Sequence, residues 1–253
     1  MSRITGPLFK WFGSKWLSAK TLPIPICDTI IEPFAGGAGY SLRYFDKKVI
    51  LAEKNPMVKR LWEWLIQEAN ESDIRDIPLD LKEGTDIRFI GLSEGQALLL
   101  KHWQRTNNVG DCWTISPWGN KPGQWTANTR ARVAEEFQAI RHWAILSDGM
   151  RLMYQESIAD STTWFIDPLY QYNYQYGMPA HDYRMLGKTI ERLRGQVIVC
   201  EAICPKSGDI PTWLPFSAFG ERITSRRKEG NNHHSKELIY HARQYLGGKR
   251  DML

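Results

Sequence analysis

The chain has 253 residues, a formal net charge of +5, 42% hydrophobic and 24% charged residues. These values place it among ordinary globular proteins, as one large domain or a core domain with an insertion. No apolar run reaches the roughly 18 residues that span a bilayer, and residues 1–10 lack a basic-then-apolar leader pattern, so a cytoplasmic protein is expected. Cys27, Cys112, Cys200 and Cys204 form no Cys-x-x-Cys pair, which argues for reduced thiols over a disulfide framework or a zinc site. The positive charge permits a polyanionic partner without demonstrating one. Of the eleven tryptophans, Trp11, Trp16, Trp103, Trp113, Trp118 and Trp125 lie among polar and basic residues. Such interleaving suits base stacking with phosphate contact, although core packing is the commoner role for any single one.

In chain order, residues 29–34 read as a short buried strand that runs into the glycine turn Gly36-Gly37-Ala38-Gly39. Residues 40–45 read as helical, and residues 49–53 as a second apolar strand ending in Glu53. A helix is expected over residues 56–69, with Pro56 in its first turn and Val58, Leu61, Trp62 and Leu65 facing inward. Residues 70–95 are irregular, and a leucine-rich helix follows at 94–104. Residues 105–130 lose periodicity and read as a long recognition loop or small insertion. Helical spacing returns over 131–146 through Val133, Phe137, Ile140 and Ala144. A third strand at 162–166 ends at Asp167, a helix covers 182–193, and a fourth strand covers 197–202. A basic loop, 225–236, precedes a final strand at 237–240. Apolar strands alternating with helices predict an α/β fold with a largely parallel sheet, whose ligands bind beyond the carboxyl ends of the strands.

Three motifs fall at such ends. Glu32, Pro33, Phe34, Ala35, Gly36 and Gly37 form a turn of small residues that lets a ligand approach the backbone. Leu42 stands where a Gly-x-Gly-x-x-Gly pattern needs its third glycine, and no Gly-Lys-Ser/Thr follows. Glu53, about 20 residues further on, can accept both hydroxyls of a ribose, in dinucleotide enzymes and methyltransferases alike. Asp167-Pro168-Leu169-Tyr170 separates the two. The amine of a nucleobase is a poor nucleophile because its lone pair is delocalised into the ring. The Asp167 carboxylate and the Pro168 carbonyl can hold its two protons, and Tyr170 can stack on the extruded base.

These motifs resemble the Dam-type DNA adenine methyltransferases. Residues 9–15 (FKWFGSK) are similar to that family's opening Lys-Trp-x-Gly-Gly-Lys, and residues 32–39 to its Glu-Pro-Phe-x-Gly loop. Residues 49–55 resemble its second-strand acid followed by Asn, with Glu53 for the more common Asp. Residues 156–161 resemble a Glu-Ser-x-Ala-Asp-Ser stretch. Asp167 to Tyr170 matches Asp-Pro-Pro-Tyr except at Leu169, the first departure. The likeness covers more than half of the chain, in the family's order.

The resemblance implies a Rossmann-like methyltransferase domain, residues 1–70 and 147–253, with a target-recognition insertion at 71–146. It implies S-adenosyl-L-methionine as cofactor, S-adenosyl-L-homocysteine as product, and double-stranded DNA as partner in a bacterial or phage-infected cell. Trp11, Gly13, Ser14, Lys15, the loop from Glu32 to Gly37, Glu53, Asn55, Asp160 and Asp167 would bind the cofactor. Asp167, Pro168 and Tyr170 would act on a flipped adenine. Arg105, Asn107, Asn108, Trp113, Trp118, Lys121, Arg226, Arg227 and Lys228 would meet DNA. The recognition region does not align closely, so the methylated sequence need not be the family's common GATC. No metal is expected, and His233-His234 reads as a solvated loop. A catalytically inactive DNA-binding homologue, and an enzyme for cytosine N4 or an RNA base, remain as alternatives.

Overall fold

The computed structural model describes residues 3–104, 112–155, 162–171, 182–202, 213, 237–244 and 250–251. In chain order the elements are β1 (Thr29–Glu32), β2 (Lys48–Ala52), α1 (Pro56–Glu63), α2 (Glu71–Arg75), α3 (Glu94–Trp103), α4 (Ala127–Glu136) and β3 (Ala144–Leu146). They continue with α5 (Gly149–Gln155), β4 (Thr162–Ile166), α6 (Tyr183–Arg192), β5 (Gly195–Ala202), β6 (Glu237–Gln244) and β7 (Arg250–Asp251). The chain divides into two compact units. The first holds Met1–Leu17, Gly36–Asp46 and Glu53–Ser147; the second holds Ser18–Ala35, Lys47–Ala52 and Asp148–Leu253.

The second unit is an α/β layer structure of the expected class. Its strands run in the order β2-β1-β4-β5-β6-β7. Neighbours from β2 to β5 are parallel, while β6 and β7 join antiparallel. β4 is buried at every position, as a strand covered on both faces requires. α5 brings Leu152 and Met153, and α6 brings Leu186 and Ile190, to a core shared with Ile31, Trp164, Ile166, Val197 and Val199. A buried polar knot lies near the amino ends of the strands. The Thr163 hydroxyl donates to Gln196 Oε1 (2.8 Å), which also accepts the Ile26 N–H (3.0 Å), while Gln196 Nε2 donates to the Ile24 carbonyl (2.9 Å). A slip of β5 by one residue would turn Gln196 to the other face and leave these groups unpaired. The opposite ends of β1 and β4 are therefore set side by side where the strand order reverses, the place where open α/β sheets bind ligands.

In the first unit, α1 starts where the sequence predicts. The Asn55 side chain accepts the N–H groups of Met57 (3.0 Å) and Val58 (3.4 Å), and Pro56 needs no donor there. The helix then widens into a π turn over Trp64–Glu68, closed by the Ala69 N–H on the Trp64 carbonyl at 2.8 Å. The widening buries Trp64, Leu65 and Ile66 in succession. α3 carries a capping box between Ser93 and Gln96 and is buried along most of its length.

Several sequence expectations need correction. The helix expected over 131–146 is α4 plus a 3-10 turn at Phe137–Ile140, and β3 takes its last residues. From Trp143 burial alternates, with Trp143 and Ile145 inside and Ala144 and Leu146 outside, so the period has changed from helix to strand. Residues 40–45 form a 3-10 turn, Ser41–Tyr44, and the irregular stretch contains α2. The strand expected at 237–240 is longer: β6 runs on to Gln244, which pairs with Gly195 of β5. Trp103 and Trp125 are core residues, 4% and 2% exposed, with rings 6.5 Å apart.

Gly149 opens α5 against the loop after β1, where an added Cβ would stand 1.9 Å from the Pro33 carbonyl oxygen. Gly149→Ala should destabilise the protein by about 1–3 kcal/mol, read as a lower urea midpoint.

Candidate functional site

In the first unit the site is built around Gly36. Its φ of +47° favours glycine, and a Cβ there would lie 2.5 Å from Trp11 Nε1. Its N–H donates to Glu53 Oε2 at 2.8 Å, and its carbonyl accepts from Trp62 Nε1 at 2.8 Å. Residues 11–16 fold over the same turn. A Cβ on Gly37 would meet Trp11 Cβ at 3.0 Å, and one on Gly39 would meet the Trp16 N at 2.3 Å. The Ser14 N–H donates to the Trp11 carbonyl at 3.1 Å. The Ser14 Oγ is buried, faces Gly37 and makes no hydrogen bond. Lys15 is 6% exposed and its Nζ donates to the Gly13 carbonyl at 3.1 Å. Arg43 fastens the far end, donating to the Trp16 carbonyl at 2.7 Å with its guanidinium 4.2 Å from the Trp16 ring.

Glu53 is buried, and burial holds its carboxyl above the ordinary range. The N–H groups of Asn55, Gly36 and Lys54 oppose that shift by bonding the charged form. Asn55 caps α1 with its side chain while its N–H meets Glu53 Oε1 at 2.7 Å. Behind Trp11, His102 of α3 stands 5.8 Å from the indole and 5.3 Å from the Phe9 ring. Burial, aided by the Lys101 charge, pushes its pKa down to about 3 against the pull of a hydrogen bond with the Lys10 backbone.

In the second unit, Glu32 is buried at the end of β1, Phe34 packs on the apolar core, and the Ala35 N–H donates to the Ala52 carbonyl at 3.0 Å. Beside it, half-buried Asp167 directly follows β4 and Pro168 is buried. The Tyr170 hydroxyl donates to Asp167 Oδ1 at 3.1 Å. The Leu169 carbonyl accepts from the Tyr183 hydroxyl at 2.7 Å. The Gln171 N–H is shared by both oxygens of Glu201, at 3.2 and 3.3 Å.

The residues expected to meet DNA fall into two groups. Trp113 is half-buried with Lys101 Nζ 4.5 Å from its ring. Trp118 is 62% exposed and Lys121 is exposed, on a turn closed by the Lys121 N–H to the Trp118 carbonyl at 3.0 Å. Arg105, Asn107, Asn108, Arg226, Arg227 and Lys228 lie outside the described residues, as does Asp160, expected to bind the cofactor. Sequence reasoning missed Trp62, His102, Tyr183 and Glu201. Glu201 left one signal, an acid inside the apolar run 197–202. Among the described residues, no helix is long and apolar enough to cross a membrane. No protein-family model and no curated protein sequence matches the chain.

Two outcomes test this geometry. Gly36→Ala must displace Trp11 and adopt an unfavourable φ, and should lower stability by about 1–3 kcal/mol in urea titration. His102 refuses a proton that the unfolded chain accepts below its ordinary value of 6.5, so stability present above pH 6.5 is lost as pH falls towards 3. By pH 5 the loss should approach about 2 kcal/mol, and His102→Leu should flatten that part of the pH–stability curve relative to wild type. Comparing the two proteins at each pH cancels Glu53, whose raised pKa acts in the opposite sense.

Proposed function

We propose that the chain is an S-adenosylmethionine-dependent DNA methyltransferase acting on the 6-amino group of adenine in duplex DNA. The observation that carries this reading is the Asp167-Pro168-Leu169-Tyr170 segment at the carboxyl end of β4, beside β1 at the reversal of strand order. Support comes also from the Lys-Trp segment folded over the glycine turn, two segments that the family resemblance assigns to the cofactor.

The first unit's residues fit a nucleoside cofactor. Ser14 Oγ is a buried polar atom lacking a partner beside bare glycine backbone. Glu53 receives three backbone N–H groups on a carboxylate that can accept about four hydrogen bonds, which leaves capacity for a ribose hydroxyl. Trp11, Gly13, Ser14, Lys15, Gly36 and Gly37 would hold the cofactor from this unit. When bound, S-adenosylmethionine supplies a methyl group on a sulfonium, an electrophile that needs no further activation.

Asp167 and the Pro168 carbonyl accept hydrogen bonds from the two amine protons and shift the nitrogen towards tetrahedral geometry. The Tyr170 hydroxyl steadies Asp167 at 3.1 Å, while the Tyr170 ring faces the extruded base. Alignment of nucleophile and methyl group supplies much of the rate. Trp118 and Lys121 present a stacking surface and a phosphate contact, which make DNA affinity fall as salt rises.

The deciding experiment incubates the protein with labelled cofactor and diverse duplex DNA, then identifies the modified nucleoside by mass. N6-methyladenine is the expected product; N4-methylcytosine, labelling of RNA alone, or no transfer overturns the reading. Asp167→Ala should lower turnover by roughly a hundredfold or more. Its cofactor affinity by calorimetry should fall far less than its turnover.

A further inference from the structure

The chemistry above uses neither Leu169 nor three side chains grouped near it in the second unit: Tyr183, Glu201 and Trp213. Tyr183 begins α6 and donates its hydroxyl to the Leu169 carbonyl at 2.7 Å. Its ring centroid lies 5.5 Å from that of Trp213. Trp213 Nε1 donates to Glu201 Oε2 at 2.9 Å, and Glu201 accepts the Gln171 N–H on both oxygens. The circuit closes Leu169–Tyr183–Trp213–Glu201–Gln171 around Tyr170. Gly187 lets it close, because a Cβ there would stand 2.1 Å from the Trp213 carbonyl oxygen.

Glu201 is fully buried near the end of β5. An apolar residue would fill that position without the desolvation cost of a carboxylate, so its value lies in the donors it fixes. Those donors belong to the loop that follows Asp167 and to the Trp213 indole. The carbonyl before Tyr170 and the N–H after it are both held, which leaves Tyr170 few backbone choices and directs its hydroxyl to Asp167. A proline at 169 would restrict the same stretch through its ring; leucine lacks that restraint.

The geometry points to Tyr183 and Glu201, bridged by Trp213, as positioning residues that fix the Asp167–Tyr170 segment in place of a second proline. The activity arm of the test rests on the methyltransferase reading; the exchange arm does not. Tyr183→Phe keeps the ring and removes one hydroxyl. It should lower kcat about tenfold, with KM for the cofactor and the thermal midpoint near wild type. Glu201→Gln keeps an acceptor for the Gln171 N–H and should retain more kcat than Glu201→Leu. Unchanged kcat in Tyr183→Phe, or equal kcat in the two Glu201 variants, overturns the assignment. Independently of catalysis, the Gln171 amide should exchange slowly with deuterium in wild type and about tenfold faster in Glu201→Gln, with β4 amides unaffected. Rapid exchange in wild type overturns the circuit even in an active enzyme. A wild-type protein that methylates no DNA overturns the functional reading, and amide exchange then decides the circuit alone.

Discussion

The site in the first unit depends on how Gly36 is held. Its N–H is bound by a buried carboxylate, its carbonyl by an indole N–H, and its bare Cα is covered by a second indole. A hydrogen bond to a charged group contributes about 1.5–3 kcal/mol, which offsets part of the cost of burying Glu53. Loss of Trp62 would leave the Gly36 carbonyl without its indole donor. Because the turn is fixed, Trp11 has a surface to lie on, and the Ser14 and Lys15 turn follows from Trp11. Phe9 and His102 complete the support, with Phe9 meeting Trp62 edge-on at 4.9 Å. Two aromatic side chains distant in sequence thus set the backbone of a loop that carries almost no side chains itself.

The second unit solves a similar problem with different materials. Its loop after β4 has side chains to spare, and restraint comes from hydrogen bonds to the loop's own carbonyl and amide. The parallel strands bring this loop beside the end of β1, and the polar knot of Thr163 and Gln196 keeps the register that does so. In both units a buried carboxylate, Glu53 or Glu201, holds loop backbone in place. Each has acceptors turned to backbone N–H groups.

The parts that sequence made legible are those governed by local pattern. Apolar runs located β1, β2, β4 and β5, and Pro56 in the first turn located the start of α1 to the residue. The strand ends then pointed to Glu32, Glu53 and Asp167. What escaped depends on tertiary partners. Trp62 reads from sequence as one more inward apolar residue of α1, and its N–H has no meaning until Gly36 lies beside it. Trp103 and Trp125 have polar neighbours in sequence but are buried in the fold, so composition alone did not separate them from exposed Trp118. β3 was absorbed into the preceding helix because Ile140, Ala144 and their spacing satisfy a helical period that the chain abandons at Trp143.

The π turn after α1 carries a consequence for how this segment tolerates change in length. A π turn holds one residue more than an α-helical turn, and here it is the last turn of the helix, since Ala69 is already extended. Trp64, Leu65 and Ile66 are all buried within it. Removal of one residue from it would leave an ordinary α-helical turn in its place. Its three buried side chains would then have to repack, so the core more than the backbone makes the longer chain the one that fits.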